Sequence, residues 1–262
     1  MAYLRQMNKT ALITGSTSGI GLAIAKEFAK AGFHISFNGL EKNGAEIAAA
    51  VGKEFNVKTF FSDANLLDIN AIEKYISETE KNLGAIDVLV NNAGIQHVSE
   101  IENFPDEKWN AIINLNLNAA FHTTKLVLPG MKKRNRGRVI NIASAHGLVA
   151  SEFKSAYVSA KHGLVGFTKV LALEGAPFGI TANAVCPGYV DTPLVRNQIA
   201  DQAKTHNMSE EDVISKIMLQ KHAVKKFVKP ESLGALCVFL ASDHAELITG
   251  TAIPVDGGWT AQ

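Results

Sequence analysis

Short apolar runs recur along the chain at Thr10–Thr14, His34–Asn38, Thr59–Ser62, Val88–Val90, Val139–Ile142, Thr181–Val185 and Ala252–Val255. Runs of this kind read as strands buried on both faces. Between them the period changes. Ile20, Ile24 and Phe28 recur at helical spacing with Lys26 and Lys30 turned outward; Ile72, Ile76 and Leu83 form a second stripe, and Trp109, Ile113, Ala120 and Thr124 a third. Gly32 and Gly84 stand where helix C-caps are expected. Strands alternating with amphipathic helices predict an α/β fold: a single doubly wound domain over 1–262, with a seven-stranded parallel sheet and helices on both faces. No repeat, low-complexity tract or linker divides it. The alternation breaks over 189–229, a polar stretch in which Ile199, Val213, Ile217 and Met218 suggest short helices. A late insertion in an open α/β sheet lies where ligands enter, which predicts a helical substrate lid; a surface helical excursion is the alternative.

Composition narrows the partners. With 262 residues, 47% of them hydrophobic, the chain can bury a sizeable core. A net charge of +1 supplies no basic excess for a phosphate backbone, so no nucleic acid is expected. The longest apolar stretches fall far short of the roughly 20 residues that cross a bilayer. The opening MAYLRQMNKT has no long apolar core of a secretory signal. Cys186 and Cys237 sit in apolar surroundings without metal-ligand spacing, and are read as buried free thiols. These features together predict a cytoplasmic protein without a membrane partner or a bound metal.

Two segments carry candidate chemistry. Leu12-Ile13-Thr14-Gly15-Ser16-Thr17-Ser18-Gly19-Ile20-Gly21 ends a strand and opens a helix. Glycines there let the backbone turn sharply and approach a pyrophosphate, which exposed N–H groups and the helix dipole attract. The spacing is Gly-x-x-x-Gly-x-Gly, distinct from the commoner Gly-x-Gly-x-x-Gly. Further along, Tyr157 and Lys161 share one face of a predicted helix, a turn apart. A free phenol with a pKa near 10 is a poor base at neutral pH, and an adjacent ammonium favours the phenolate. Ser144 precedes the pair at the end of the strand Val139–Ile142.

The glycine loop, Asn91-Asn92-Ala93-Gly94, Ser144, Tyr157/Lys161 and Pro187-Gly188 stand in order from Thr10 to Gly258. Together they closely resemble the short-chain dehydrogenase/reductase family, which implies a Rossmann-type fold, hydride transfer to a dinucleotide and a homotetramer. By that resemblance Gly15, Thr17, Ser18, Gly19, Ile20 and Gly21 cradle the dinucleotide, Asn92, Ala93 and Gly94 line its adenosine side, and Asp63 contacts adenine. Pro187, Gly188, Val190 and Thr192 turn over the nicotinamide. Tyr157 is the general base, Ser144 holds the reacting oxygen, Lys161 lowers the Tyr157 pKa and binds the nicotinamide ribose, and Asn116 links the lysine to a water relay. The acid that usually ends the second strand of NAD users is absent here. That place reads Phe37-Asn38-Gly39-Leu40, with Glu41 the first carboxylate. No arginine stands at Ser16–Ser18 or beside Gly39, and Lys42 is the only nearby cation. The charges favour NAD over NADP, with Leu40 packing against the adenosine.

Substrate identity rests on residues outside this shared set. Gln96, His146, Lys154 and Gln198 fall at points that converge on the pocket mouth in such a fold. One cation, an imidazole and two amides suit a small carboxylate. The sequence around them is similar to family members acting on D-3-hydroxybutyrate, which implies its NAD-dependent, reversible oxidation to acetoacetate. Tyr189 and Trp259 would wall the methyl side; Tyr189 stands where tryptophan is usual, and Trp259 has a packing role as its alternative. A rival inside the family is NADPH-dependent reduction of 3-oxoacyl thioesters on an acidic carrier. The basic run Lys132-Lys133-Arg134-Asn135-Arg136-Gly137-Arg138 would suit that carrier, while Leu173-Glu174 lacks its usual arginine. A dinucleotide sensor without catalysis is the alternative from another class.

Overall fold

A computed structural model describes residues 9–261 apart from 194, 197, 198, 200–202 and 204–206. Seven strands form one parallel sheet: β1 (Thr10–Ile13), β2 (His34–Asn38), β3 (Thr59–Ser62), β4 (Ile86–Asn91), β5 (Gly137–Ile142), β6 (Ile180–Pro187) and β7 (Ala252–Val255). Their order is β3-β2-β1-β4-β5-β6-β7. The order in which strands are added therefore reverses between β1 and β4, which opens a crevice above their carboxyl ends.

Helices cover both faces, as a parallel sheet requires. On one face α1 (Gly19–Lys30), α2 (Gly44–Phe55) and α7 (Pro230–Ala241) bury Ile24, Phe28, Val51, Leu233 and Cys237 against Ile35, Phe37 and Val90. On the other, α3 (Ile69–Leu83), α5 (Ala119–Lys133) and α6 (Ser155–Gly175) bury Ile72, Tyr75, Met131 and Leu171 against Leu12, Leu89 and Val139. Gly32 and Gly84 follow or cap α1 and α3 with φ of +91° and +83°, conformations that favour glycine. Cys186 and Cys237 are buried and free. No described helix is long and apolar enough to cross a membrane.

One predicted helix differs from expectation. The stripe Trp109–Thr124 is divided into α4 (Asp106–Ile113), a π turn over Asn114–Asn118, and α5. The π turn adds a residue to the repeat, so the buried side passes from Ile112 through Asn116 to Ala120. Trp109, ahead of the π turn, is partly exposed with its ring 6.1 Å from that of Phe104.

The 189–229 segment crosses the carboxyl side of the sheet. Val190 and Val228 form a parallel bridge at its base. A short helix, Glu210–Asp212, runs into a π turn over Val213–Met218. Ile199, Val213 and Met218 are buried in a small cluster of their own with Tyr189, Ile214 and Phe227. These described apolar residues of the segment thus form a cluster separate from the two main cores.

Candidate active site

The glycine loop leaves β1 and enters α1 with Gly15 at φ +60° and Gly19 at φ +51°. A Cβ on Gly21 would overlap the Gly15 carbonyl oxygen, so the turn closes only with glycine there. Ser18 caps α1 without a side-chain bond, and the first turn carries no acid. The helix therefore offers its N-terminal N–H groups and dipole to an anion. Thr14 and Asn92 stitch this loop to the end of β4. Thr14 Oγ1 accepts from the backbone N–H groups of Asn92 (2.9 Å) and Ala93 (3.1 Å). Asn92 Nδ2 donates to the carbonyls of Thr14 and Gly15 at 3.0 and 2.9 Å.

A cleft of about 740 Å³ opens over this loop. Of the residues expected to hold a dinucleotide, Gly15, Thr17, Ser18, Gly19, Ile20, Gly21, Leu40, Asn92, Ala93, Gly94 and Thr192 line it. Leu40 is 70% exposed and gives the cleft an apolar wall. Asp63 is exposed at the end of β3 and is not part of the lining. Pro187 ends β6, the Gly188 N–H donates to the Val255 carbonyl at 3.0 Å, and buried Val190 sits in the bridge to Val228. Size, donors and apolar walls fit a dinucleotide.

Glu41, which the strand-end position did not single out, also lines the cleft. Its carboxylate accepts from the Thr17 hydroxyl and, at 3.0 Å, from the Ser18 hydroxyl. These bonds, led by Thr17, hold its pKa below the ordinary glutamate value. Asn38, in the place of the missing acid, is occupied otherwise: Nδ2 donates to the carbonyls of Ser62 and Ala64, and Oδ1 accepts from Gly15 N. Among the described residues lining the cleft, Glu41 is the one with a charge.

Beyond the cleft, β5 and α6 bring the candidate catalytic groups together. Ser144 ends the strand as an N-cap, its hydroxyl accepting from His146 N at 3.1 Å. Tyr157 and Lys161 share a face of α6, with the ammonium 5.6 Å from the phenol ring centroid. The ammonium donates to the Ile142 carbonyl at 2.7 Å. Burial pushes Lys161 down to about 8. Burial also pushes Tyr157 up, opposed by the neighbouring Ser144 hydroxyl. The geometry of the pair is as expected, but desolvation outweighs any lowering of the phenol pKa by the lysine, because the ammonium is turned to a carbonyl. Asn116 is buried in the π turn, and its amide is spent on Ile95: Oδ1 accepts from N–H and Nδ2 donates to C=O, both at 2.9 Å. Its side chain therefore fixes the loop after Gly94 instead of reaching towards Lys161.

The acid-binding candidates are partly assembled. Burial, then Lys154 and Lys221, push His146 down to about 3, so its imidazole is neutral at physiological pH. Its ring nitrogens face Ser151 Oγ at 2.9 Å and Ser144 Oγ at 3.5 Å. The His146 ring meets the edges of Tyr157 at 6.0 Å and Trp259 at 4.9 Å. Trp259 stacks on Tyr189 at 6.0 Å with 6° between planes. Asp256 holds the Trp259 turn by accepting from Gly258 N and from both Thr260 N and Oγ1. Lys154 stands 5.8 Å from the Tyr189 ring. Gln96 is exposed on the loop after β4, and Gln198 lies outside the described residues.

Lys154 follows Phe153, whose φ is +64°. A bulky residue in that region carries roughly 1 kcal/mol of strain. The Phe153 carbonyl accepts from Ser99 N at 2.9 Å, tying the strained turn to the loop that follows Gly94. Phe153→Gly is expected to raise the thermal midpoint by about 2 °C, since the half-exposed ring loses little packing. A lower midpoint would show that the ring outweighs the strain.

Several members of the basic run are paired within the chain. Arg134 donates to the Ile86 carbonyl, Arg136 pairs with Asp243, and buried Arg138 donates to the carbonyls of Gly137 and Gly179. Lys132 lies 4.8 Å from the Phe178 ring.

Comparison with known proteins agrees with this geometry. The short chain dehydrogenase family model matches residues 9–203. A D-beta-hydroxybutyrate dehydrogenase of Rhizobium meliloti (strain 1021) is 51% identical over 261 residues, covering 98% of this chain and 100% of the relative. Another, from Cupriavidus necator, is 50% identical over 254 residues, covering 97% and 98%. The crystal structure of a candidate short-chain alcohol dehydrogenase from Sinorhizobium meliloti 1021 superimposes with a TM-score of 0.88 at 31% identity, covering 99% of both chains.

Proposed function

The chain belongs to the short-chain dehydrogenase family, and from that premise we propose that it oxidises D-3-hydroxybutyrate reversibly to acetoacetate with NAD. The observation that carries the substrate is the meeting of His146, Lys154, Tyr189 and Trp259 beside Ser144 and Tyr157. The two relatives named for that activity support it. The Lys154 ammonium takes the carboxylate, and one methylene separates that anchor from the carbon that loses hydride. The stacked rings of Tyr189 and Trp259 enclose the methyl end. A nicotinamide, when bound, supplies the hydride acceptor. Gly15 to Gly21, Asn92 to Gly94 and Thr192 would hold its dinucleotide.

Tyr157 takes the hydroxyl proton as the C3–H bond breaks and the carbonyl forms; in reduction it returns the proton. Ser144 holds the oxygen in line, and neutral His146 orients Ser144 from its other side. Lys161 would bind the nicotinamide ribose and supply positive charge beneath the phenol. NAD is favoured because Glu41 opposes a 2′-phosphate and the cleft lining offers it no cation. The same reading carries a cytoplasmic homotetramer. Reduction of carrier-bound thioesters is disfavoured, because Leu173-Glu174 lacks the arginine usual for the carrier and Glu41 opposes the 2′-phosphate of NADPH.

Purified protein with D-3-hydroxybutyrate and NAD should generate NADH absorbance, and the L-enantiomer should not. Lys154→Ala is expected to raise KM for the acid about tenfold with a smaller change in kcat. Absence of turnover with this acid, together with activity on a 3-oxoacyl thioester and NADPH, would overturn the proposal.

A further inference from the structure

The His146 imidazole is neutral at physiological pH, because burial opposes its charge, so its ring carries one proton for two nitrogens. Both nitrogens face serines. Nε2 lies 2.9 Å from Ser151 Oγ, and Nδ1 lies 3.5 Å from Ser144 Oγ. The second separation is at the outer limit for a hydrogen bond, of the kind that tightens once a substrate is in place. Packing fixes the plane of the ring, which stands edge-on at 78° to Tyr157 and at 88° to Trp259. What packing leaves open is which nitrogen holds the proton.

That choice decides what Ser144 can do. Its hydroxyl has one proton and two lone pairs. One lone pair is taken by His146 N, which donates to it at 3.1 Å. With the ring proton on Nδ1, the ring donates to the other lone pair, and the serine proton stays available to the reacting oxygen. With the ring proton on Nε2, Nδ1 becomes an acceptor and draws the serine proton to itself. The serine then has nothing to donate to the reacting oxygen. Ser144 and His146 are both buried, so water competes little at this contact. Among the described residues, Nε2 is the one hydrogen-bond partner of the Ser151 hydroxyl. A hydroxyl proton aimed at Nε2 needs a lone pair there, which places the ring proton on Nδ1.

We propose that Ser151 is a positioning residue, which donates to His146 Nε2, fixes the Nδ1–H form of the ring and so leaves the Ser144 proton to the reacting oxygen. The inference rests on the reading of Ser144 as the holder of that oxygen. The alternative role for Ser151 is a brace on the turn after β5; a brace would hold the ring by position and be indifferent to its tautomer.

Ser151→Ala should lower kcat with D-3-hydroxybutyrate about tenfold, the worth of one neutral hydrogen bond, and leave KM for NAD within about twofold. Ser151→Thr keeps a hydroxyl and should restore most of the rate. In a His146→Phe background, which keeps a ring and removes both nitrogens, Ser151→Ala should cost nothing further. Nitrogen NMR of histidine-labelled protein, with the His146 signals assigned by their loss in His146→Phe, reads the tautomer directly. Wild type should show Nδ1 protonated, and Ser151→Ala should move the proton towards Nε2. A wild-type ring protonated at Nε2, or a Ser151→Ala protein with unchanged tautomer or unchanged kcat, would overturn the assignment. An equal loss from Ser151→Ala in the His146→Phe background would do the same. Absence of turnover with this acid would overturn the substrate reading alone, because the nitrogen spectra need no substrate.

Discussion

Tyr157→Phe is expected to lower kcat by about a thousandfold or more while cofactor binding stays near wild type. The substitution removes one oxygen and keeps the ring that packs against Ile112, Ala156 and Ala160, so the fold should survive. What is lost is the proton acceptor, and general acid–base groups contribute about a hundred- to ten-thousandfold. The pH profile separates this role from a packing defect. Burial pushes the phenol pKa up, so at neutral pH the base form is scarce. Oxidation should therefore rise with pH on the acid side of that pKa, and reduction, which needs the protonated phenol, should fall through it. The variant's residual rate should lose this dependence on Tyr157. A variant with wild-type kcat, or one retaining the same rising limb, would assign the proton to another group. Burial pushes Lys161 down to about 8, so alkaline loss of its charge is a second limb that Tyr157→Phe leaves in place.

The sheet could be read from the chain because strands buried on both faces must be apolar throughout. Val139–Ile142 and Thr181–Val185 therefore marked β5 and β6 to within a few residues. The placement of the candidate catalytic groups was legible for a related reason: Tyr157 and Lys161 are fixed by helical spacing, and Ser144 by its place after a strand. The break at Asn114–Asn118 was not, since a π turn has no composition of its own and appears only as a shift in which side is buried. Asn116 fell at the right position, yet its amide bonds to Ile95, a partner 21 residues away in sequence. Lys221 sits in a polar stretch where a solvated lysine is the default, and only the fold brings it to Trp259. The direction of the Tyr157 shift required the depth of burial, which spacing does not encode.

Glu41→Arg is expected to shift the ratio of kcat/KM for NAD to that for NADP by about a hundredfold in favour of NADP, with Glu41→Gln producing about a tenfold change. The acid that ends the second strand in many NAD users is replaced here by Asn38, whose amide is committed to Gly15, Ser62 and Ala64. The chain then turns, and three residues later Glu41 returns its carboxylate to the glycine loop, against Thr17 and Ser18. A Cβ on Gly39 would strike both Thr17 Oγ1 and a Glu41 carboxylate oxygen, so the glycine between them gives the carboxylate its room. A single pair of charges about 5 Å apart is worth roughly 3 kcal/mol at a surface dielectric near 20, and solvent screening around this exposed side chain reduces it to about half. Neutralising Glu41 removes that repulsion of a 2′-phosphate; reversing its sign removes it and adds a comparable attraction. The two substitutions should thus form a graded series, measured as initial rates with each cofactor at saturating acid. If both variants keep the wild-type ratio, selection lies elsewhere in the cleft. If the wild type itself prefers NADP, the NAD reading fails before Glu41 is in question.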